Sequence, residues 1–293
     1  LSNQHQGASC ARTQLPDSSG AVGARLTKAR KFWTAKAPRR VAEMATKGVR
    51  LPFAKRPPPL SLQPKHITAA DETLVELIQQ LVDKRVVRRL QSREMGTPGF
   101  YSHVFSVPKP GRTERRFLFD LRRLNSYLRT THFKMESLRD ALTLIDKGDL
   151  LTSIDIKDAF FHVPIHRDNG HFLRFAVKLP SGSVQVFQFL CLPMGLAISP
   201  AVYTKLMKVP ISLVRGSGIR ICAYMDDLLV VASSERHSVR HTAEVQATLE
   251  MAGFTVNIAK SELTPTTKIK FLGMLIDTVT RTVTVPRKNF KPA

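Results

Sequence analysis

The sequence predicts an α+β fold, on three observations. Strand-like and helix-like runs follow one another without the regular alternation that builds a parallel sheet. Turn signals separate paired apolar runs, as they do in hairpins. Two of those runs enclose a pair of adjacent carboxylates, Asp226 and Asp227.

The elements follow in order along the chain. Thr68 with Asp71 resembles a capping box, and Leu74, Leu77, Ile78, Leu81 and Val82 fall on one helical stripe. Strands over residues 103–107 and 116–121 flank the turn signal Lys109-Pro-Gly-Arg112. Residues 150–156 alternate as a strand, with Leu151, Ser153 and Asp155 on one face. Runs at 172–177 and 184–190 flank Pro180-Ser-Gly-Ser183, a hairpin signal. Ser199 as N-cap with Pro200 at the first helical position predicts a helix that Pro210 disturbs. Apolar strands at 219–224 and 228–232 then bracket the two carboxylates. A helix over 235–252 turns Val245, Leu249 and Ala252 inward and stops at Gly253. Strands at 269–276 and 280–285 complete the pattern.

The first 64 residues read differently. Residues 1–60 hold twelve Lys/Arg against two acids, a net +10, and residues 52–64 are proline-rich. A basic, poorly ordered tail over 1–64 is the expectation, with the only tryptophan, Trp33, inside it. The lack of an initiator Met suggests a fragment or an incomplete gene model.

Charge narrows the partner. Lys+Arg 45 against Asp+Glu 23 leaves +22 on 293 residues, which calls for a polyanion, either nucleic acid or an anionic membrane. The longest apolar stretch, 189–203, is interrupted by Pro193, Gly195 and Pro200. It falls short of the roughly 18 apolar residues of a membrane span. Nucleic acid is therefore the expected partner, with no membrane. Cys10, Cys191 and Cys222 form no paired motif, and no secretory leader is visible. Both features fit an intracellular, reducing compartment, cytoplasmic or nuclear.

Asp226 and Asp227 carry the strongest chemical signal. Adjacent like charges between apolar strands are costly unless a cation neutralises them. Asp155 also ends an apolar strand, and if the strands are neighbours the three carboxylates converge. Such an oxygen set suits Mg²⁺, with Mn²⁺ as a substitute. Two such ions would activate a hydroxyl and stabilise a leaving pyrophosphate. A plain polar Asp-Asp turn stays open at this point.

The motifs extend the argument. Tyr224-Met-Asp-Asp227 resembles the YMDD signature of reverse transcriptases, and Ser153-Ile-Asp-Ile-Lys-Asp-Ala-Phe-Phe161 is similar to that family's first carboxylate motif. Leu192-Pro-Met-Gly-Leu-Ala-Ile-Ser-Pro200, Gly253-Phe-Thr-Val-Asn-Ile-Ala-Lys260 and Phe271-Leu-Gly273 resemble the blocks that follow. Val107-Pro-Lys-Pro-Gly111 and 116–125 resemble the fingers block, and all six occur in the family's order across about residues 90–277. Phe100-Tyr-Ser102, Phe133-Lys-Met-Glu-Ser-Leu138, Ile165-His166 and Leu173-Arg-Phe175 resemble retrotransposons of the DIRS type, which carry a tyrosine recombinase.

The resemblance implies a right-hand polymerase: fingers at about 65–129 and 163–192, palm at about 130–162 and 193–277, an antiparallel palm sheet packed on helices. It further implies that 278–293 begin a truncated connection and that the thumb is missing. The activity implied is RNA-directed DNA synthesis, with RNA/DNA template-primer and dNTPs as partners and a ribonuclease H and a recombinase or integrase in the full polyprotein. Asp155 and Asp226 would bind both metal ions, with the Ile156 carbonyl and Asp227 completing the cluster. Lys109, Arg116, Asp158, Ala159, Phe160, Met194 and Gly195 would face the nucleotide, Phe160 excluding a 2′-hydroxyl. Met194 departs from the retroviral pattern, which has Gln there. Lys260 would act as general acid, and Phe271, Leu272 and Gly273 would form the primer-grip region.

Other constellations carry less. His162, His166 and His171, and the pair His237 and His241, lack any accompanying Cys or H-E-x-x-H pattern and read as ordinary residues. An RNA-dependent RNA polymerase is disfavoured by Phe160 and by the Tyr-Met-Asp-Asp turn. An inactive nucleic-acid-binding relic is the remaining alternative.

Overall fold

The computed structural model describes residues 21–108 and 114–286. Two short helices, α1 (Arg30–Lys36) and α2 (Arg39–Lys47), precede an extended stretch to strand β1 (Ile67–Ala69). In α3 (Glu72–Asp83), Leu74, Ile78 and Leu81 are buried on one face. Its cap is Asp71, whose carboxylate accepts the Leu74 amide at 2.7 Å, while Thr68 lies in β1. Strand β2 (Val87–Arg89) and α4 (Ser92–Met95) follow, then the hairpin β3 (Val104–Pro108) and β4 (Arg115–Phe119). Helices α5 (Arg122–Asn125) and α6 (Leu138–Leu142) lead to β5 (Leu150–Asp155).

Strands β6 (Arg174–Lys178) and β7 (Val184–Phe189) pair as the expected hairpin. With β1 and β2 they form a sheet of order β1-β6-β7-β2, in which only the β1–β6 pair is parallel. Helix α7 (Ser199–Gly216) starts one residue earlier than expected, with Ile198 at the cap position, and the Ser199 hydroxyl donates to the Pro193 carbonyl at 2.9 Å instead of capping. The helix also runs straight through Pro210. Leu206, Met207, Ile211 and Val214 are buried around that proline, and their packing outweighs one lost backbone hydrogen bond.

A second sheet positions the carboxylates. Strands β8 (Arg220–Tyr224) and β9 (Asp227–Ala232) form a hairpin, α8 (Glu235–Met251) follows, and β10 (Glu262–Thr266) returns beside β5. The order is β10-β5-β9-β8, antiparallel throughout. Strand β11 (Lys268–Phe271), β12 (Met274–Asp277) and β13 (Thr282–Thr284) make a small separate sheet. The single run expected at 269–276 is broken because Leu272 (φ 47°) and Gly273 (φ 80°) form a two-residue turn.

Both faces of the carboxylate-bearing sheet are covered. Ile154, Ile221, Leu228 and Val230 join the main core with Val245 and Leu249 of α8. Leu151, Cys222, Leu229 and Val231 pack on the other side against Ala141, Ile269, Phe271 and Ile276. Burial on two faces is why residues 228–232 are apolar without alternation.

Residues 21–64 depart from the expected loose tail; residues 1–20 lie outside the described part. Val22, Leu26, Trp33, Val41, Ala45, Val49 and Leu51 are all buried in the main core. Trp33 is fully enclosed, meets Phe254 edge-to-face at 6.4 Å, and donates its indole N–H to the Ala252 carbonyl at 2.9 Å. That carbonyl is among those a helix end leaves without an intrahelical partner. Gly253 (φ 92°) is needed twice over: the turn takes a left-handed residue, and a Cβ there would sit 3.2 Å from Ala29 Cβ and Arg25 O. Trp33→Ala is expected to lower the unfolding free energy by about 3–5 kcal/mol in denaturant titration. A loss below about 1 kcal/mol would mean that the N-terminal helices are not integral to the core.

Candidate active site

The β8–β9 hairpin turns on Met225 and Asp226, with Tyr224 and Asp227 as the paired residues that close it. Met225 takes φ 53°, a left-handed conformation that a side-chain-bearing residue adopts only when its surroundings compel it. Here the compulsion is the two-residue loop, whose favoured forms require a positive φ at its first position. Asp155, the last residue of β5, lies directly opposite Asp227. Side chains opposed in this way share a face, with Cβ atoms about 4.5–5.5 Å apart. The Ile156 amide donates to the Asp226 carbonyl at 2.9 Å, which fastens the turn to the end of β5. On the other side of β5, the Asn257 amide donates to the Asp155 carbonyl at 2.8 Å and the Ser261 hydroxyl accepts the Asp155 amide at 3.0 Å.

The electrostatics follow from this crowding. Burial pushes the Asp227 carboxyl above its ordinary value, and the charges of Asp226 and Asp155 push the same way, while Lys260 opposes them. The Asp226 carboxyl is also raised, first by lost hydration and then by Asp155, although the residue is exposed at the tip of the turn. Its own backbone amide and Lys260 hold it back. Lys260 itself is exposed, so it is a nearby cation and not part of the packed floor.

The residues expected to face a nucleotide are only partly assembled. Phe160 lies in a short 3-10 helix, Ala159–His162, half-buried, with its ring 5.5 Å from Tyr203 in an edge-to-face contact. Asp158, which precedes it, takes φ 51° and pairs with Lys84 at 2.8 Å. Ala159 is buried. Met194 stands in solvent, and Gly195 takes φ 87° with its carbonyl accepting from Asn125 Nδ2 at 2.9 Å. Arg116 is exposed on β4. Lys109 lies outside the described residues. Phe271, Leu272 and Gly273 form the β11–β12 turn, with Phe271 buried beneath the carboxylate-bearing sheet.

Four residues without an assigned role prove to shape the site. Asn125 clamps the loop after β7 by bonding Gly195 and accepting the Ala197 amide at 2.9 Å. His162 is fully buried and neutral, its pKa pushed down to about 4 by burial. With Nδ1 3.1 Å from the Ala159 carbonyl and Nε2 accepting the Thr255 amide at 3.0 Å, its ring ties the Phe160 turn to the strand-like segment after α8. Tyr203 is buried, and burial and then Asp226 and Asp155 raise its hydroxyl pKa well above the ordinary value. Lys84 anchors Asp158. Asn125 stands within a quoted motif, but Lys84, His162 and Tyr203 carry no pattern that would single them out. His237 and His241 stack at 5.6 Å on α8, and no third ligand joins them among the described residues.

The donor set is carboxylate oxygen, which fits a hard divalent cation. Among the described residues, no three His, Cys, Asp or Glu side chains are gathered so as to hold an ion by themselves.

An antiparallel sheet thus brings carboxylates at the turn of one hairpin beside the end of the neighbouring strand. A model of the reverse transcriptase (RNA-dependent DNA polymerase) family matches residues 107–276, and the chain belongs to that family. It is 29% identical over 170 residues to the transposon Tf2-7 and Tf2-3 polyproteins of Schizosaccharomyces pombe (strain 972 / ATCC 24843), spanning 58% of this chain and 12% of each polyprotein. The fold is similar to that of the foamy viral protease-reverse transcriptase dRH, solved in complex with ds DNA. That comparison has a TM-score of 0.62 at 18% identity, over 86% of this chain and 46% of that one. Among the described residues, no helix is long and apolar enough to cross a membrane.

Asp227 allows a direct check of the crowding. A raised carboxyl means that the folded chain binds more protons than the unfolded one between the two pKa values, so stability falls as pH rises through that window. Without metal, Asp227→Asn should raise the melting temperature at pH 7 by about 2–4 °C. The difference should shrink as pH falls below the ordinary aspartate range. A variant that melts earlier at pH 7 would contradict the repulsion.

Proposed function

We propose that this chain is the polymerase core of a mobile element's reverse transcriptase, extending a primer 3′-hydroxyl with dNTPs on an RNA or DNA template. The observation that carries the reading is the facing of Asp155 and Asp227 across neighbouring strands, with Asp226 fastened beside them. Asp155 and Asp226 would hold two Mg²⁺ ions, or Mn²⁺, with Asp227 and the Ile156 carbonyl contributing to the same cluster. When bound, such ions acidify the primer hydroxyl and neutralise charge on the leaving pyrophosphate.

The chain's own residues do the rest. Arg116, on β4, and Lys109 would neutralise the triphosphate and hold it for in-line displacement. Lys260 is the general acid that protonates the pyrophosphate. Its influence on both Asp226 and Asp227 supports a place at this centre. Asp158 and Ala159 provide the turn that seats the nucleotide, and the Phe160 ring closes the space a 2′-hydroxyl would need. Tyr203 behind Phe160 supports that ring against displacement. Gly195 permits close backbone approach, and Met194 offers an apolar contact where retroviral enzymes have Gln. Phe271, Leu272 and Gly273 form the primer grip.

On this reading residues 65–277 comprise fingers and palm, and the segment from 278 begins the connection to a further domain. The motif variants at 100–102, 133–138, 165–166 and 173–175 support a DIRS-type element, whose polyprotein would add a ribonuclease H and a recombinase and work inside the cell. The relic alternative gains nothing from the retained carboxylates, Gly195 and Gly273.

Asp226→Asn should reduce Mg²⁺-dependent primer extension by about 10²–10³-fold or more while duplex binding persists. Extension at the unmodified rate would remove the metal assignment. Phe160→Ala should raise ribonucleotide use relative to deoxynucleotide use by about 10–200-fold, the range of a lost steric contact. Unchanged discrimination in single-nucleotide insertion would show that Phe160 is only a core ring.

A further inference from the structure

The turn that carries Phe160 is gripped from behind by residues 22–26. Gly23 donates its amide to the Lys84 carbonyl at 2.9 Å, and the next residue, Ala24, donates to the Phe161 carbonyl at 2.8 Å. Lys84 in turn reaches Asp158, the residue that opens the Phe160 turn, at 2.8 Å. The segment is thus wedged between the end of α3 and the turn at 158–162. No side chain fits at its tip: a Cβ on Gly23 would lie 2.1 Å from the Arg85 carbonyl oxygen. Three residues that do carry side chains stand at this junction in left-handed backbone, Ala24 (φ 55°), Arg85 (φ 57°) and Asp158 (φ 51°). Such backbone is costly and persists only where the surroundings impose it.

A second link reaches the same ring through side chains. Trp33 meets Phe254 at 6.4 Å, Phe254 meets Tyr203 at 5.9 Å, and Tyr203 meets Phe160 at 5.5 Å, each pair edge-to-face. The spacings lie in the range of about 4.5–7 Å at which aromatic rings attract in that geometry. The three rings behind Phe160 are fully enclosed. A close-packed ring has no empty space to move into, so a shift of one is passed to the next. Phe160 itself is only half-buried, so its position is set from behind. Gly23, Ala24 and Trp33 all precede the segment 107–276 that the family model matches.

We infer that Gly23, Ala24 and Trp33 are positioning residues for sugar selection: they hold the Phe160 ring at the depth where it excludes a 2′-hydroxyl. The inference rests on the polymerase reading above. It makes the choice between deoxynucleotide and ribonucleotide a property of a segment far upstream of the turn that performs it. Exclusion by a ring is sensitive to placement, and a displacement of about 1 Å set up away from a reacting centre can change a rate about 10²-fold. Gly23 and Ala24 carry no polar side chain, and Trp33 is fully enclosed, so the three act only through the turn and its ring.

The test compares dATP with ATP opposite a templating T, as kcat/KM for insertion on an extendable primer and as equilibrium affinity on a dideoxy-terminated one. The full chain is used, unmodified and as Trp33→Phe, Gly23→Ala, Phe160→Ala and the pair Trp33→Phe/Phe160→Ala. Trp33→Phe keeps an aromatic ring but makes it smaller and removes the bond to the Ala252 carbonyl. It should lower the preference for dATP by about 3–10-fold, the scale of a coupling carried through packed side chains. Gly23→Ala, which forces the segment off the Arg85 carbonyl, should shift the preference in the same direction. In the Phe160→Ala background Trp33→Phe should change nothing further, because the ring through which it acts is gone. A variant that is only less stable loses active molecules for both nucleotides alike and leaves the ratio where it was. An unchanged ratio in Trp33→Phe would therefore overturn the inference, whether or not Gly23→Ala folds, and so would a shift of equal size with and without the Phe160 ring. The polymerase reading fails on different evidence: no preference of the unmodified chain for the nucleotide that pairs with the template, or extension that Asp226→Asn leaves untouched.

Discussion

Three carboxylates gather at one end of a sheet whose strands cannot move apart, because both faces of that sheet are buried. The repulsion among Asp155, Asp226 and Asp227 is therefore held in place by hydrophobic packing at some distance from it. Leu151, Leu229 and Val231 face one core and Ile154, Leu228 and Val230 the other. Removing either layer would let the strands splay and relax the charges. Burial first, and then the neighbouring carboxylates, push the Asp226 and Asp227 carboxyls above their ordinary value. An arrangement that is uncomfortable when empty is one that gains most from a cation.

The surroundings extend the same logic from charge to shape. His162 is buried and neutral, so its two ring nitrogens act as one donor and one acceptor, tying the Phe160 turn to the segment after α8. Asn125 does the corresponding work for the loop with Gly195 and Ala197. Lys84 holds Asp158 in a left-handed turn from the side of α3. Each tie joins segments far apart in the chain, so the surface around Phe160 and Gly195 is fixed by cross-links between elements and not by any one loop.

How much of this was legible in the sequence depends on the range of the interaction. The carboxylate hairpin, β5 and the two long helices could be read because their causes are local: apolar runs, a proline in the first turn of α7, a glycine at the end of α8. The facing of Asp155 and Asp227 came from motif resemblance, since alternation alone does not say which strands are neighbours. Residues 21–64 were misread because their apolar positions are sparse, and Trp33 earns its burial from Ala252 and Phe254, more than two hundred residues away. No window of local sequence contains that information. Pro210 misled in the opposite direction: a local rule was right about the lost hydrogen bond and silent about the core that compensates.

The folded N-terminus also changes what the chain's charge means. Residues 1–60 contribute +10 of a formal +22. On a loose tail those cations would raise affinity for any polyanion through counterion release, without regard to strand or orientation. Fixed on α2 and the segment after it, Arg40, Lys47 and Arg50 instead stand at set positions across a cavity from α7. Trp33 anchors the same N-terminal segment in the core, so these cations sit on a fixed frame and not on a free tail.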